Sequence, residues 1–101
     1  MKFADTLKTL PETAGEKLVL TDAAGAEVAT IANAPGTAGS FRVYAYLVQH
    51  YGAIDAEAAA EGLAIFAEHT EDASTHPGKH PNIDRLIAIL TTGSPLNAYI
   101  S

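Results

Sequence analysis

Two short runs of β-favouring residues decide the fold of this chain: Lys17-Leu18-Val19-Leu20-Thr21 and Glu27-Val28-Ala29-Thr30-Ile31. The five residues between them, Asp22-Ala23-Ala24-Gly25-Ala26, include the Asp and Gly that are typical of hairpin connections. The pattern therefore predicts a β-hairpin. Neither face of the second run is strongly polar, so we expect the hairpin to pack against other parts of the protein, because a lone hairpin is marginally stable in water.

Helical patterns lie on both sides of the hairpin. Residues 2–10 carry apolar residues at helical spacing, and Pro11 ends that first helix. Residues 40–51 fit a helix face and a strand face equally well. We favour a helix that Ser40 caps, because this stretch is long for a strand and Gly52 stands where a helix C-cap would.

The second half of the chain predicts two further helices. One amphipathic, alanine-rich helix is expected to begin after an N-cap at Asp55 and to run to about residue 73. A last helix is expected over residues 83–90, with Asn82 as its N-cap and Gly93 as its stop signal.

Alternating residues at 96–100 predict a short C-terminal strand that extends the hairpin to three strands. The fold class is therefore α+β in a single domain, 1–101: a β-hairpin or three-stranded antiparallel sheet covered by about four helices, in the order α-β-β-α-α-α-(β). The long alanine-rich helix and the last helix should cover one face of this sheet. The predicted core consists of Leu7, Leu18, Leu20, Val28, Ile31, Phe41, Val48, Leu63, Phe66, Leu86 and Ile87.

Composition excludes several classes of function. Twelve acidic residues against six basic ones argue against a nucleic-acid partner, because phosphate binding needs clustered Lys and Arg. The absence of cysteine excludes disulfides and thiolate metal sites. The longest apolar run, Val43–Val48, is too short for a bilayer, and Asp5 stands where a signal peptide needs apolar residues. We expect an acidic cytoplasmic protein without a membrane partner.

The histidine-rich segment 68–85 contains three of the four histidines of the chain. If the preceding helix persists to residue 76, then His69, Asp72 and His76 share one helix face. The Pro-Gly turn that follows could return His80 to them. No cofactor is required, but imidazoles with a carboxylate suit a zinc-like divalent metal, with Glu68 or Asp72 as general base in an enzyme. The alternative is that these histidines border the core or lie exposed in the turn. The candidate metal ligands are His69, Asp72, His76 and His80.

The same segment also predicts a site for a small anionic ligand. The last helix begins here, so its free amide groups point at the turn, and basic side chains cluster beside them. The glycine-rich loop 36–40 weakly resembles a phosphate cradle but lacks the lysine of a Walker loop, so a flexible connection explains it equally well. The candidate anion-binding residues are Lys79, His80, Asn82 and Arg85.

Three stretches of the chain together resemble a known family. They are Phe3-Ala4-Asp5 with Leu7, Pro35-Gly36-Thr37-Ala38-Gly39-Ser40-Phe41-Arg42-Val43-Tyr44, and residues 66–86. The sequence resembles a family of small, uncharacterised bacterial proteins, a domain of unknown function, over nearly its whole length. The resemblance implies a bacterial, cytoplasmic, single-domain protein and transfers no activity and no site residue.

Two functions from different classes remain open. The first is a binding or interaction protein without catalysis of its own, most simply a homodimer, because the exposed edge of the hairpin can pair with another chain. The second is a metal- or anion-binding enzyme or sensor centred on residues 68–85. We favour the first, because the sequence carries no recognisable catalytic or cofactor motif.

Overall fold

A three-stranded antiparallel sheet forms one side of the protein in the computed structural model, which describes residues 2–101. Strand β1 (Lys17–Thr21) is central, with β2 (Glu27–Ala32) on one side and β3 (Asn97–Ile100) on the other. The predicted hairpin and the third strand are confirmed, and so is the α+β class.

Within residues 2–101, five helices accompany the sheet rather than about four. The prediction that residues 40–51 are helical is confirmed, and Gly52 ends that helix with a φ of 84°. The helix begins at Ala38 after Thr37, however, so the expectation that Ser40 is the N-cap is wrong. The helices are α1 (Phe3–Leu7), α2 (Ala38–Tyr51), α3 (Ala56–Phe66), α4 (Glu68–Thr75) and α5 (Pro81–Thr92).

The long helix predicted from Asp55 to about residue 73 is in fact two helices. Asp55 does cap α3, since its Oδ1 accepts a hydrogen bond from the Ala58 amide at 2.8 Å. The break falls at Ala67, whose φ is 49° and whose ψ is −114°. Beyond it, the Thr70 hydroxyl donates to the Leu63 carbonyl at 2.6 Å and satisfies an acceptor at the end of α3.

The last helix begins two residues earlier than the sequence predicts. Its N-cap is His80 and Pro81 follows in the first turn, so the prediction of Asn82 as the cap is wrong. A proline in the first turn loses no helical hydrogen bond and has a suitable φ, which explains the earlier start. Gly93 is the C-cap, as predicted, with a φ of 74°.

Helix α2 lies at the centre of the fold. It packs on all three strands and on α3, while α3 packs in turn along α5. The expectation that the two later helices cover the sheet is therefore wrong: α2 covers it, and they form a further layer. Among residues 2–101, no helix is both long enough and apolar enough to cross a bilayer.

Most of the predicted core is part of the interior. Val28 is the exception, with 49% of its surface exposed, because it lies on the face of the sheet that points away from α2. Four more predicted members are only half-buried against the core: Leu7, Val48, Leu63 and Ile87. The fully buried ones are Leu18, Leu20, Ile31, Phe41, Phe66 and Leu86.

Candidate functional site

A cavity of about 550 Å³ lies where the first turns of α2 and α5 meet α1 and the junction of α3 with α4. We call it the α2–α5 pocket. This volume is within the range of small-molecule sites. Its lining residues are Phe3, Gly36, Thr37, Ala38, Gly39, Ser40, Phe66, His69, Lys79, His80, Pro81, Asn82 and Ile83.

Two helix N-termini contribute backbone donors to this pocket. Gly39 and Ser40 belong to the first turn of α2, and Asn82 belongs to the first turn of α5. Within residues 2–101, the amides of these three residues form no hydrogen bond. Free amides at a helix start favour a negatively charged ligand, since the helix dipole places partial positive charge there.

Basic side chains at the rim of the α2–α5 pocket converge on Asp72. Its Oδ2 accepts hydrogen bonds from His80 Nε2 at 2.6 Å and from Lys79 Nζ at 3.0 Å. His76 Nδ1 lies 3.1 Å from the other carboxylate oxygen. These bonds, first that from His80 and then that from Lys79, hold the pKa of the Asp72 carboxyl well below its usual range. The turn between α4 and α5 is thereby fastened to α4.

The turn is also supported from α5. The backbone amide of Gly78 donates to Asp84 Oδ2 at 2.9 Å. The φ of Gly78 is 92°, which lies in the left-handed region that glycine tolerates best. Carboxylates on both flanking helices therefore hold the loop that carries Lys79 and His80.

Aromatic rings form the opposite wall of the pocket. Phe3 stacks on Phe66 with ring centroids 5.2 Å apart, and His69 meets the edge of Phe3 at the same distance. The backbone amide of Phe3 donates to Glu68 Oε1 at 2.8 Å, which ties the start of α1 to α4. This bond lowers the pKa of Glu68. The wall is thus assembled from residues more than 60 positions apart in sequence.

The four predicted metal ligands do lie near one another. His76 and His80 both contact Asp72, and the ring of His69 lies 5.8 Å from that of His80. Among residues 2–101, however, no three His, Asp or Glu side chains are arranged to hold a metal ion. The contacts to Asp72 are hydrogen bonds, whereas two ligands of one zinc ion would stand about 3.3 Å apart given bonds of about 2 Å. The metal site stays a prediction.

Three of the four predicted anion-binding residues line the pocket: Lys79, His80 and Asn82. Arg85 does not. Its Nη1 donates to Asn82 Oδ1 at 2.8 Å and to the Tyr44 hydroxyl at 3.3 Å, and its guanidinium lies 5.8 Å from the centre of the Tyr44 ring. Arg85 therefore positions the first turn of α5.

Sequence reasoning treated the loop 36–40 as a separate feature, but the structure places it in the same pocket as the histidine-rich segment. It also missed Phe3 and Phe66 as pocket residues. Their apolar spacing identifies them only as helix-face residues, and no local signal shows that the two faces meet beside His69.

Comparison with known proteins identifies one family. A family model described as "Uncharacterized protein conserved in bacteria (DUF2322)" matches residues 3–100. No curated protein and no solved structure matches the chain.

Proposed function

We propose a function for this chain, which belongs to the bacterial family DUF2322. The proposal rests on geometry alone, because the description of the family assigns no activity. The chain is a binding protein without catalysis of its own, and it acts in the cytoplasm. Its α2–α5 pocket takes a small ligand that carries a phosphate or carboxylate group next to an apolar, preferably aromatic, group.

One observation carries this proposal: the pocket joins two independently predicted features. The glycine-rich loop before α2 and the basic turn before α5 face the same cavity. Free amides and the Lys79 ammonium are donors that stabilise an anion without any catalytic group. A phosphate or carboxylate at the two helix starts would satisfy these donors together.

The apolar wall defines the rest of the ligand. Phe3 and Phe66 present stacked rings, and His69 extends this surface toward the basic turn. Aromatic groups prefer offset or edge-on contacts with such rings. An anion attached to a ring therefore suits the pocket better than a bare inorganic ion does.

Asp72 limits the charge that the rim can offer. Its carboxylate already neutralises part of the charge on Lys79 and is hydrogen-bonded to His80. A ligand with two negative charges should bind more tightly than one with a single charge, because it competes better for shared donors.

Isothermal titration calorimetry with phenyl phosphate tests the proposal, with inorganic phosphate and benzyl alcohol as partial ligands. We expect phenyl phosphate to bind more tightly than either. Lys79→Ala should weaken its binding about tenfold, the scale of one charged hydrogen bond. Lys8→Ala, at the exposed end of α1, is the matched control and should bind like wild type. Absence of phenyl phosphate binding at millimolar concentration would refute the proposal.

Self-association is part of the proposed function. The strands β2 and β3 are the two edges of the sheet, and open edges can pair with another chain. A homo-oligomer, most simply a dimer, is therefore the expected state in solution.

An enzyme is the second candidate, and one contact favours it. Asp72 holds His80 through Nε2, and within residues 2–101 the other ring nitrogen, Nδ1, forms no hydrogen bond. A carboxylate that orients an imidazole beside a cavity is the arrangement of a general base. Hydrolysis of p-nitrophenyl acetate and p-nitrophenyl phosphate tests this. Turnover that His80→Ala abolishes and His76→Ala retains would favour the enzyme.

A zinc-like metal at His69, Asp72, His76 and His80 remains the alternative within the same segment. It requires His80 and Asp72 to exchange their hydrogen bond for metal bonds. Native mass spectrometry of tag-free protein with one equivalent of zinc tests it. One retained ion per chain, lost in His76→Ala and in His80→Ala, would establish the metal site.

A further inference from the structure

The two faces of the sheet have different surroundings. Leu18, Leu20 and Ile31 point inward to the core beneath α2. On β3, and on β2 from Val28 onward, exposed and less exposed residues alternate, so every second side chain points away from the helices. The register shifts by one residue beside Thr21, which places Glu27, the partner of Thr21, on the same side of the sheet as Val28. We call this second side the outer sheet face.

The centre of the outer sheet face is apolar. Val19 of β1 is only 2% exposed although it lies outside the main core, and its partners on the neighbouring strands are Thr30 and Tyr99. Around it, Tyr99 is 55% exposed and Val28 49% exposed. Two large exposed apolar side chains thus flank a third residue that is already buried.

Opposite charges mark the two ends of this face. Lys17 stands at the end of β1 where it pairs with Ala32, while Glu27 pairs with Thr21 at the other end. The Glu27 carboxylate is oriented over this face, since it accepts a hydrogen bond from the Thr30 hydroxyl at 3.4 Å. Four residues of strand separate the two ends by about 13 Å, so Lys17 and Glu27 of one chain cannot pair with each other.

We propose that a second copy of this chain packs its outer sheet face against the first, with Lys17 of each copy paired with Glu27 of the other. A two-fold axis in the plane of the interface, perpendicular to the strands, reverses the strand direction. It therefore brings the basic end of one sheet over the acidic end of the other, twice. Val28 and Tyr99 of both copies are buried between the sheets.

The size of the face sets the strength of this dimer. Three strands about 4.8 Å apart and about 17 Å long form a patch smaller than half of a standard interface. The dimer is accordingly weak, with a dissociation constant in the micromolar range or above. This inference rests on the self-association in the proposed function, assigns it to the sheet face rather than to a strand edge, and is independent of the ligand in the α2–α5 pocket.

Sedimentation velocity from low to several hundred micromolar protein tests whether the outer sheet face is the interface. It compares the wild type with variants in which the charges at positions 17 and 27 are reversed. Lys17→Glu and Glu27→Lys should each raise the dissociation constant about tenfold, because each places like charges opposite one another. The double variant Lys17→Glu/Glu27→Lys should return it to the wild-type value. Lys8→Glu, off the sheet, is the control for net charge, and thermal unfolding by circular dichroism verifies that each variant folds.

Each outcome decides a different claim. Weakening in the single variants with recovery in the double variant supports the outer sheet face as the interface. A dimer that none of the exchanges alters would overturn this face while leaving self-association intact. A monomer at every concentration would overturn both the face and the self-association in the proposed function.

Discussion

Nε2 of His80, the N-cap of α5, lies 2.6 Å from the Oδ2 of Asp72 on α4. This contact crosses the turn between the two helices and brings Lys79 to the same carboxylate. Asp72 therefore fixes the basic rim of the α2–α5 pocket, and its protonation state links pocket geometry to stability.

Asp72→Asn should lower the free energy of unfolding at neutral pH. Its deficit relative to the wild type should become smaller as the solution is acidified. The pKa of Asp72 is lowered in the folded chain, so its stabilising contribution is complete above its unfolded pKa of about 3.9. That contribution disappears as the pH falls further, through the lowered pKa of the folded state. Urea unfolding at several pH values should therefore show a wild-type advantage that shrinks below about pH 4.

Glu71→Gln is the matched control for this series. Glu71 is the exposed neighbour of Asp72 on α4 and forms no salt bridge within residues 2–101. Its pH profile should parallel that of the wild type. If Asp72→Asn also gave a parallel profile, Asp72 would not anchor the turn.

Tyr44→Phe should destabilise the protein by about 1–3 kcal/mol, the cost of leaving a buried hydrogen-bond partner unsatisfied. The buried Tyr44 hydroxyl donates to the Asn82 carbonyl and accepts from Arg85. Burial raises the pKa of Tyr44 to about 12, so the hydroxyl stays neutral across the physiological range. Chemical denaturation measures the loss. Tyr99→Phe, on an exposed residue, should change stability little, and equal losses in both variants would contradict the account.

Gly62→Ala should be destabilising although alanine favours helices. A Cβ at Gly62 would stand 2.8 Å from Leu86 Cδ1 and 2.9 Å from Leu47 Cδ1, and both leucines are fully buried. Overpacking of about 1–3 kcal/mol outweighs a propensity gain of about 0.5–1 kcal/mol. Thermal unfolding in wild-type and Leu86→Ala backgrounds tests this. Gly62→Ala should lower the melting temperature less in the Leu86→Ala background than in the wild type. If the effects of Gly62→Ala and Leu86→Ala simply added, the Cβ would not be in close contact with Leu86.

Ala67→Gly should stabilise the protein by up to about 1 kcal/mol. The positive φ of Ala67 is unfavourable for a residue with a Cβ, and glycine removes that cost at the expense of a more flexible unfolded chain. Ala60→Gly, at an exposed position inside α3, is the matched control and should destabilise by about 1 kcal/mol. Denaturation midpoints of both variants show whether each substitution raises or lowers stability. A loss of stability in both variants would contradict the strain at Ala67.

The sequence predicts well those features that depend on local chemistry. The hairpin formed by the two β-favouring runs of 17–31, the helix end at Gly52 and the carboxylate cap at Asp55 each follow from residues close in sequence. The α+β class and the three-stranded sheet follow from the same kind of pattern.

Features that depend on distant contacts were not predictable in this way. Nothing in the alanine-rich pattern marks Ala67 as a break, because the turn there is imposed by how α4 packs and by the Thr70 hydroxyl bond to α3. The Pro-Gly turn alone predicts that His80 lies near Asp72. No sequence signal predicts that loop 36–40 lies beside them, since its position depends on the packing of α2 within the fold.

In the proposed function, the α2–α5 pocket binds an anion at two helix starts. The most direct test is a titration of ¹⁵N-labelled protein with phenyl phosphate, followed by two-dimensional amide NMR spectra. We expect the largest saturable shifts at the amides of Gly39, Ser40 and Asn82. Saturable shifts confined to other parts of the chain, or no saturable shift at millimolar ligand, would contradict this proposal.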